Sequence, residues 1–278
     1  MVLRGGRRRG WGQHFLVDRR IRDRIVEEAN LSCEDVVVEI GVGEGFLTEP
    51  LLQRAGWVVG FEVDPVLVHL VKEKLAAYSH FSLYPGDFLK IDLKACLTSL
   101  PLFRKKCVSN LPYSISTPAL LKLLTEDVTW NLLLLMVQRE FGERVLALPP
   151  QGKGTFLSVV AHLRFEVQKV LSVSPSAFRP NPRVESVVLK FLPRDDRVDL
   201  VTFRKVTALA RFYFSQKRKS LLSLLGMKSG NRDRVLAMIQ AAGISPRLRA
   251  EDLERSQWIA LAEISTKEDA FLFGENAK

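Results

Sequence analysis

The stretch of chain that decides the fold is Val36-Val37-Val38-Glu39-Ile40-Gly41-Val42-Gly43-Glu44-Gly45. Its first half is a continuous run of mostly β-branched residues, which is typical of a central parallel strand that is covered on both faces. Glycines then break the strand, and apolar residues at Leu47, Leu51 and Leu52 predict a helix after them. In an open α/β sheet, such a loop lies beyond the carboxyl end of the strand, where these sheets bind their ligands.

The same alternation of strand and helix extends along the chain on both sides of this stretch. Upstream, a run of helical period begins after Asp18, which is a plausible N-cap. Further strand-like runs occupy residues 57–61, 82–84, 132–137, 166–173 and 184–191, and Val108 marks another strand. The pattern predicts an open, mostly parallel sheet with helices on both sides, which is a Rossmann-like α/β fold.

The pattern changes near residue 194. From Leu200 onward the chain carries only apolar runs of helical period, separated by glycines and a proline. We therefore predict a Rossmann-like domain over residues 1–194 and a smaller, all-helical C-terminal domain over residues 195–278.

The chain is strongly basic, since its 278 residues carry a formal net charge of +10. The basic residues concentrate in two blocks, at residues 4–9 and 204–234. The positive electrostatic potential of such a chain attracts polyanions. Nucleic acid is therefore the expected partner, and an anionic membrane surface is the competing one. The longest apolar run, residues 132–137, is too short to cross a bilayer, and the N-terminus lacks the apolar core of a secretory signal. These features predict a soluble protein.

The cysteines and histidines indicate neither a disulfide framework nor a metal site. They are widely separated, and no Cys-x-x-Cys pair or nearby histidine has the spacing of metal ligands. Reduced thiols in a cytoplasmic protein are the expected state, and no protein-bound metal is expected. These residues are Cys33, Cys96 and Cys107, with His14, His69, His80 and His162.

The glycine loop indicates a cofactor that contains adenosine. Glu62 follows the second strand about 20 residues on, where a carboxylate can accept hydrogen bonds from ribose hydroxyls. Dinucleotides share this arrangement, but the G-x-G-x-G spacing lacks the third glycine of their fingerprint, and Glu44 inside the loop would repel a pyrophosphate. S-adenosylmethionine, which has a sulfonium and no phosphate, fits better. Asp87, at the end of the third strand, could accept from the adenine amine, although an aspartate after glycine is also an ordinary turn residue.

A second motif, Asn110-Leu111-Pro112-Tyr113, follows the fourth strand. Its amide and nearby carbonyls can accept from the exocyclic amine of a planar base, while the phenol ring can stack on that base. Taken alone, the four residues favour the simpler interpretation, in which a strand ends in an ordinary turn before proline.

Taken together, these segments resemble the ribosomal RNA adenine dimethyltransferases, which methylate two adjacent adenosines near the end of the small-subunit RNA. The segments occur in the family's order and cover nearly all of the first domain. They are GQHFL at 12–16, VEIGVGEG at 38–45, LTEPL at 47–51, EVD at 62–64, GDF at 86–88, NLPY at 110–113 and PSAFRPNPRVES at 175–186.

The resemblance implies a role for each matching position. The positions implied to touch S-adenosylmethionine are His14, Leu16, Gly41 under its methionine part, Glu62 on its ribose, Asp87 on its adenine, and Asn110. The catalytic positions implied are Asn110 facing the target amine, Tyr113 stacking on the target base, and Phe178 supporting the other face of that base. The chain departs from the family at His14, where many members have asparagine.

The resemblance implies an S-adenosylmethionine-dependent dimethyltransferase that acts on small-subunit rRNA within a pre-ribosomal small subunit, and the expected state is a monomer. The helical domain resembles the family's C-terminal domain and is expected to bind RNA. Three alternatives stay open: the related enzymes that dimethylate large-subunit rRNA and confer macrolide resistance, a non-catalytic nucleic-acid-binding factor on the same scaffold, and, more remotely, a nicotinamide-dependent oxidoreductase.

Overall fold

The computed structural model describes residues 14–100, 104–149, 151–216, 219–224 and 232–264. The N-terminal arginines, Gly12, Gln13 and parts of the second basic block lie outside these residues. The strands are β1 (Phe15–Leu16), β2 (Asp35–Ile40), β3 (Trp57–Glu62), β4 (Phe81–Pro85), β5 (Arg104–Asn110), β6 (Trp130–Gln138), β7 (Phe165–Val173), β8 (Phe178–Arg179) and β9 (Ser186–Pro193). The helices are α1 (Arg19–Glu28), α2 (Thr48–Leu52), α3 (Pro65–Lys74), α4 (Leu93–Thr98), α5 (Ser116–Thr125), α6 (Arg139–Leu146), α7 (Phe156–His162), α8 (Leu200–Phe214), α9 (Arg232–Ala241) and α10 (Arg255–Ile264).

The main sheet has seven strands in the order β4-β3-β2-β5-β6-β9-β7. The strands from β4 to β6 in this order pair in parallel, and β9 pairs antiparallel with β6. Every residue of β2 is buried, as its run of β-branched residues predicted. This arrangement confirms the Rossmann-like α/β fold predicted from the sequence.

The order of the strands reverses next to β2. From β2 the chain adds β3 and β4 on one side, and it then crosses to add β5 and β6 on the other side. The carboxyl ends of β2 and β5 therefore lie side by side, and the loops that follow them diverge. In open α/β sheets this switch point is the place where ligands bind.

A second, two-stranded sheet joins the start of the described chain to a distant segment. β1 pairs antiparallel with β8, with Leu16 opposite Phe178 and Phe15 opposite Arg179. The Val17 amide extends the pairing by donating to the Ala177 carbonyl at 2.8 Å. This pairing anchors residues 14–17, which we call the N-terminal segment.

The chain divides into two compact units, residues 1–142 with 168–191, and residues 143–167 with 192–278. The first contains most of the sheet. The second contains α7 to α10, and its apolar core includes the fully buried Tyr213 and Trp258. The second unit thus groups residues 143–167 with the C-terminal helices. The two domains predicted from the sequence, residues 1–194 and 195–278, stay a prediction.

A buried ion pair ties β2, β5 and the end of α1 together. Asp35 is 0% exposed, and its Oδ2 lies 3.0 Å from Nζ of the buried Lys106. The same ammonium donates to the carbonyls of Ala29 and Asn30, at 3.0 and 2.7 Å, just beyond the end of α1. Arg104 contacts the other carboxylate oxygen of Asp35 at 3.1 Å. Lys106 therefore satisfies the helix end as well as the carboxylate.

We expect Lys106→Met to lower the free energy of unfolding by about 3 kcal/mol, because it leaves a buried carboxylate and two carbonyls short of a donor. Urea denaturation measures this loss. The matched control is Lys94→Met, which breaks an exposed Lys–Asp pair with Asp127 and should change the stability little. Equal losses in the free energy of unfolding of the two variants would show that the buried ion pair stabilises the fold no more than the exposed pair does.

Candidate active site

A cavity of about 320 Å³ opens at the switch point beside the carboxyl ends of β2 and β5. A volume of this size suits a small organic ligand. Five segments contribute its lining: residues 14–17, 39–47 without Gly45, 61–63, 86–89 and 110–115. Seven of the eight site residues predicted from the sequence are among these lining residues: His14, Leu16, Gly41, Glu62, Asp87, Asn110 and Tyr113.

Gly41 brings the glycine loop into contact with the loop that follows β5. Its φ angle is +77°, and a Cβ atom built on it would lie 2.9 Å from Cγ of Pro112. Real Cβ atoms do not approach other carbons so closely, and a positive φ angle also favours glycine. The two motifs found in the sequence therefore share one wall of the cavity, and only glycine allows this approach.

Glu62 is held in the cavity wall by backbone amides. Its side chain is almost fully buried, and Oε2 accepts from the Gly43 amide at 2.9 Å. Oε1 accepts from the amides of Val63 and Asp64, at 2.9 and 3.0 Å. A carboxylate offers about four acceptor directions, so Oε2 keeps room for a hydroxyl donor from the cavity. The carboxylate is thus fixed before any ligand arrives.

Glu39 is a site residue that the sequence analysis did not assign. It lies in β2, lines the cavity and is 2% exposed, and its Oε2 has no hydrogen-bond partner among the described residues. Burial raises the pKa of Glu39 to about 8; the neighbouring Thr48 hydroxyl lowers the pKa and the charge of Glu62 raises it. A buried acceptor without a partner suits a ligand that brings an N–H or O–H donor. The signal in the sequence was a lone acid inside an apolar buried strand.

Asp87 is both a turn residue and a cavity residue, which are the two possibilities that its sequence context left open. Its Oδ1 accepts from the Leu89 amide at 3.0 Å and so caps the turn after β4. The half-buried side chain also lines the cavity. The turn therefore holds this carboxylate at the cavity edge.

Asn110 is oriented by the N-terminal segment. Its Nδ2 lies 3.3 Å from the backbone carbonyl of His14. Because a carbonyl oxygen can only accept, the amide must direct nitrogen toward His14. Oδ1 is then left as an acceptor on the other side of the amide. The carbonyl of Pro112 already accepts from the Ile115 amide and the Ser116 hydroxyl. Beside Asn110 Oδ1, the Leu111 carbonyl is therefore the better candidate for accepting a hydrogen bond from an amine in the cavity.

Tyr113 carries its ring at the cavity wall. The ring centroid lies 5.6 Å from that of His14, with a tilt of 33° between the planes. The phenol oxygen lies 2.6 Å from Oγ of Ser186. Burial raises the pKa of Tyr113 and the Ser186 hydroxyl lowers it, with a net rise. The phenol is therefore neutral at physiological pH. A neutral ring suits stacking on a base.

Phe178 is the predicted site residue that the structure does not bring to the cavity. It is 0% exposed and belongs, with Leu16, to one buried apolar cluster. Its place opposite Leu16 in the β1–β8 pair explains the burial, because this pair seats the N-terminal segment on the core. A stacking role for Phe178 stays a prediction and requires the ring to turn outward.

The described part of the chain holds neither a cluster of metal ligands nor a membrane-spanning helix. No group of three or more His, Cys, Asp or Glu residues there could hold a metal ion. Within the same residues, no helix is long and apolar enough to span a membrane.

A glycine loop at the switch point and an acid at the end of the second parallel strand are typical of Rossmann-like enzymes that bind an adenosine-containing cofactor. The model of the family "Ribosomal RNA adenine dimethylase" matches residues 6–267. The chain belongs to this family, which confirms the family predicted from the sequence.

Individual relatives agree with this assignment. The chain is 36% identical over 264 residues to the ribosomal RNA small subunit methyltransferase A of Halothermothrix orenii, covering 91% of this chain and 86% of that protein. A dimethyladenosine transferase from Plasmodium falciparum superposes with a TM-score of 0.75 at 28% identity, covering 89% of this chain and 96% of the other. The 23S rRNA methyltransferase ErmE gives a TM-score of 0.67 at 26% identity, covering 90% and 98%.

The raised pKa of Glu39 has a measurable effect on stability. Its ordinary pKa is 4.5 and its pKa in the folded protein is about 8. Between these values the folded protein keeps a proton that the unfolded chain releases, so stability falls as pH rises through this window, by up to about 1.4 kcal/mol per pH unit. We expect Glu39→Gln to remove this part of the pH dependence. Thermal denaturation of both proteins from pH 5 to about pH 8 tests this, and parallel curves would contradict it.

Proposed function

We propose that the protein transfers methyl groups from S-adenosylmethionine to N6 of two adjacent adenosines near the 3′ end of small-subunit rRNA. The observation that carries the proposal is the orientation of Asn110, whose Nδ2 faces the His14 carbonyl and whose Oδ1 is left as an acceptor. Pro112, two residues on, touches the glycine loop at Gly41. An acceptor for an amine and a cofactor loop thus share one cavity.

The cavity suits this cofactor in charge as well as in size. Glu62 is a carboxylate buried in its wall, and a buried negative charge attracts a cation and repels phosphates. Glu62 would hold the ribose through Oε2, Asp87 the adenine amine, and Gly41 would lie under the methionine part. His14 and Leu16 would contact the cofactor from the N-terminal segment. Glu39 adds an acceptor for the amino group. When bound, the cofactor supplies a methyl group activated by a positively charged sulfur.

The protein's part in the reaction is to prepare the target nitrogen. Adenine N6 is a poor nucleophile because its electron pair is delocalised into the ring. In the first transfer, Asn110 Oδ1 and the Leu111 carbonyl would each accept a hydrogen bond from one N–H of the amine, which favours a pyramidal nitrogen whose electron pair points at the methyl group. Alignment and electrostatics then lower the barrier to an in-line displacement. A strong base is unnecessary beforehand, since the nitrogen becomes acidic only as it is attacked.

The target base has to leave its stack in the RNA, which costs a few kcal/mol. Stacking on the Tyr113 ring returns about 1–3 kcal/mol. Phe178 stays proposed for the other face of the base, in a conformation with its ring turned outward.

The charge distribution supports RNA as the substrate. The net charge is +10, and α8 exposes Arg204 and Arg211 in the helical part of the chain. We propose that residues 195–278 bind RNA, and that the protein acts as a monomer in the cytoplasm on a pre-ribosomal small subunit, as part of its assembly. The names of the curated relatives support the small subunit over the large one, and the TM-score to the dimethyladenosine transferase exceeds that to ErmE.

The test of this proposal is methylation of purified subunits. Unmethylated small and large ribosomal subunits are incubated with the protein and S-adenosylmethionine, and dimethyladenosine is mapped by mass spectrometry. We expect two adjacent dimethyladenosines near the 3′ end of the small-subunit RNA. Dimethyladenosine in large-subunit RNA alone would favour the macrolide-resistance type of enzyme, and no transfer at all would favour the binding factor.

The role of Asn110 is tested in the same assay. Asn110→Ala should lower the transfer rate by about 10²- to 10³-fold, the range seen when one preorganised hydrogen-bonding group is removed from an active site. The protein should still bind the subunit. The matched control is Asn131→Ala, since Asn131 is exposed and its Oδ1 accepts only a backbone amide in β5. Unchanged transfer by Asn110→Ala would remove Asn110 from the mechanism.

A further inference from the structure

Ser186 is a buried hydroxyl that touches the active-site ring from outside the cavity. It is the first residue of β9, is 0% exposed and pairs with Gln138 at the end of β6. It does not line the cavity. Its Oγ lies 2.6 Å from the phenol oxygen of Tyr113. The antiparallel strand β9 thus reaches the target side of the site through one hydroxyl.

This contact is the only side-chain hydrogen bond of Tyr113 within the described residues. The tyrosine opens a short 3-10 turn, and Pro112 before it supplies no side-chain cap. On the other side, the ring meets His14 only at a centroid distance of 5.6 Å. The hydroxyl of Ser186 therefore fixes the ring angle more strongly than any other polar contact.

We propose that Ser186 is a positioning residue for methyl transfer, acting by holding the Tyr113 ring at the angle on which the target base stacks. This inference rests on the proposed function. A positioning role differs from a purely structural one because removal of the Ser186 hydroxyl should change kcat only by changing the orientation of Tyr113. Losing the hydroxyl changes the angle of the ring but keeps the ring itself, and phosphate contacts dominate the affinity for RNA, so the effect falls mainly on kcat.

The test is a double-mutant cycle of Ser186→Ala, Tyr113→Phe and their combination, with small subunits as substrate. Each single variant should lower kcat by about three- to tenfold, the value of one hydrogen bond, with little change in KM or in the affinity for S-adenosylmethionine. The double variant should be no slower than the slower single variant, because both changes remove the same bond.

A second readout does not need methyl transfer. In an RNA with 2-aminopurine at the target position, the fluorescence rises when that base leaves the RNA stack and is quenched again when the base stacks on the Tyr113 ring. We expect weaker quenching with Ser186→Ala than with the unmodified protein, at RNA concentrations that saturate both.

The matched control is Ser82→Ala. Ser82 accepts from the indole nitrogen of Trp57 at 3.0 Å, and Trp57 lies at the start of β3, away from the carboxyl ends that form the cavity. This variant loses a comparable aromatic–serine bond and should keep kcat and quenching unchanged.

The outcomes separate this inference from the proposed function. If the unmodified protein methylates the small subunit but Ser186→Ala keeps full kcat and quenching, the inference alone is wrong. Additive losses in the double variant would also overturn it, since Ser186 would then act independently of Tyr113. If the unmodified protein transfers no methyl group to either subunit, the proposed function fails and the inference fails with it.

Discussion

The contact between Gly41 and Pro112 is the constraint on which the rest of the site depends. The strand order reverses next to β2, so the loops after β2 and β5 leave the sheet side by side. A Cβ atom at residue 41 would lie 2.9 Å from the proline ring, so only glycine lets the loops close on each other. Because they close, the groups suited to a cofactor and the amide suited to a target amine face one cavity. The packing of these two loops thereby sets the distance between the glycine loop and the Asn110 amide.

The side chains around this contact are oriented before any ligand binds. Backbone amides hold Glu62, the His14 carbonyl fixes the direction of the Asn110 amide, and Ser186 holds Tyr113. Such preorganisation is the form in which hydrogen bonds lower reaction barriers, since no reorganisation is needed during the reaction. Glu39 is the exception, as a buried carboxyl whose Oε2 has no hydrogen-bond partner among the residues that the structure describes. Burial of this carboxyl raises its pKa to about 8.

Much of this could be predicted from local sequence. The β-branched run of β2 and its glycines predicted the central strand and the ligand loop, and Glu62 and Asp87 follow strands whose ends meet at the same edge of a parallel sheet. What escaped prediction depends on contacts far apart in the chain. The two-residue strands β1 and β8 are too short to give a hydrophobic period, yet their pairing seats the N-terminal segment and buries Phe178. Ser186 ends one of the segments that carry the family resemblance, but only the fold brings its hydroxyl to Tyr113.

The central claim is that one cavity holds a target adenine edge-on against Asn110, with its amine facing the methyl donor. The most direct measurement is a crystal structure of the protein with S-adenosylhomocysteine and a short RNA that contains the target adenosine. We expect N6 to lie within hydrogen-bond distance of Asn110 Oδ1 and to face the sulfur of the cofactor. We also expect the base to stack on Tyr113. A structure in which the sulfur occupies another part of the protein, with Asn110 and Tyr113 turned away from it, would contradict the account.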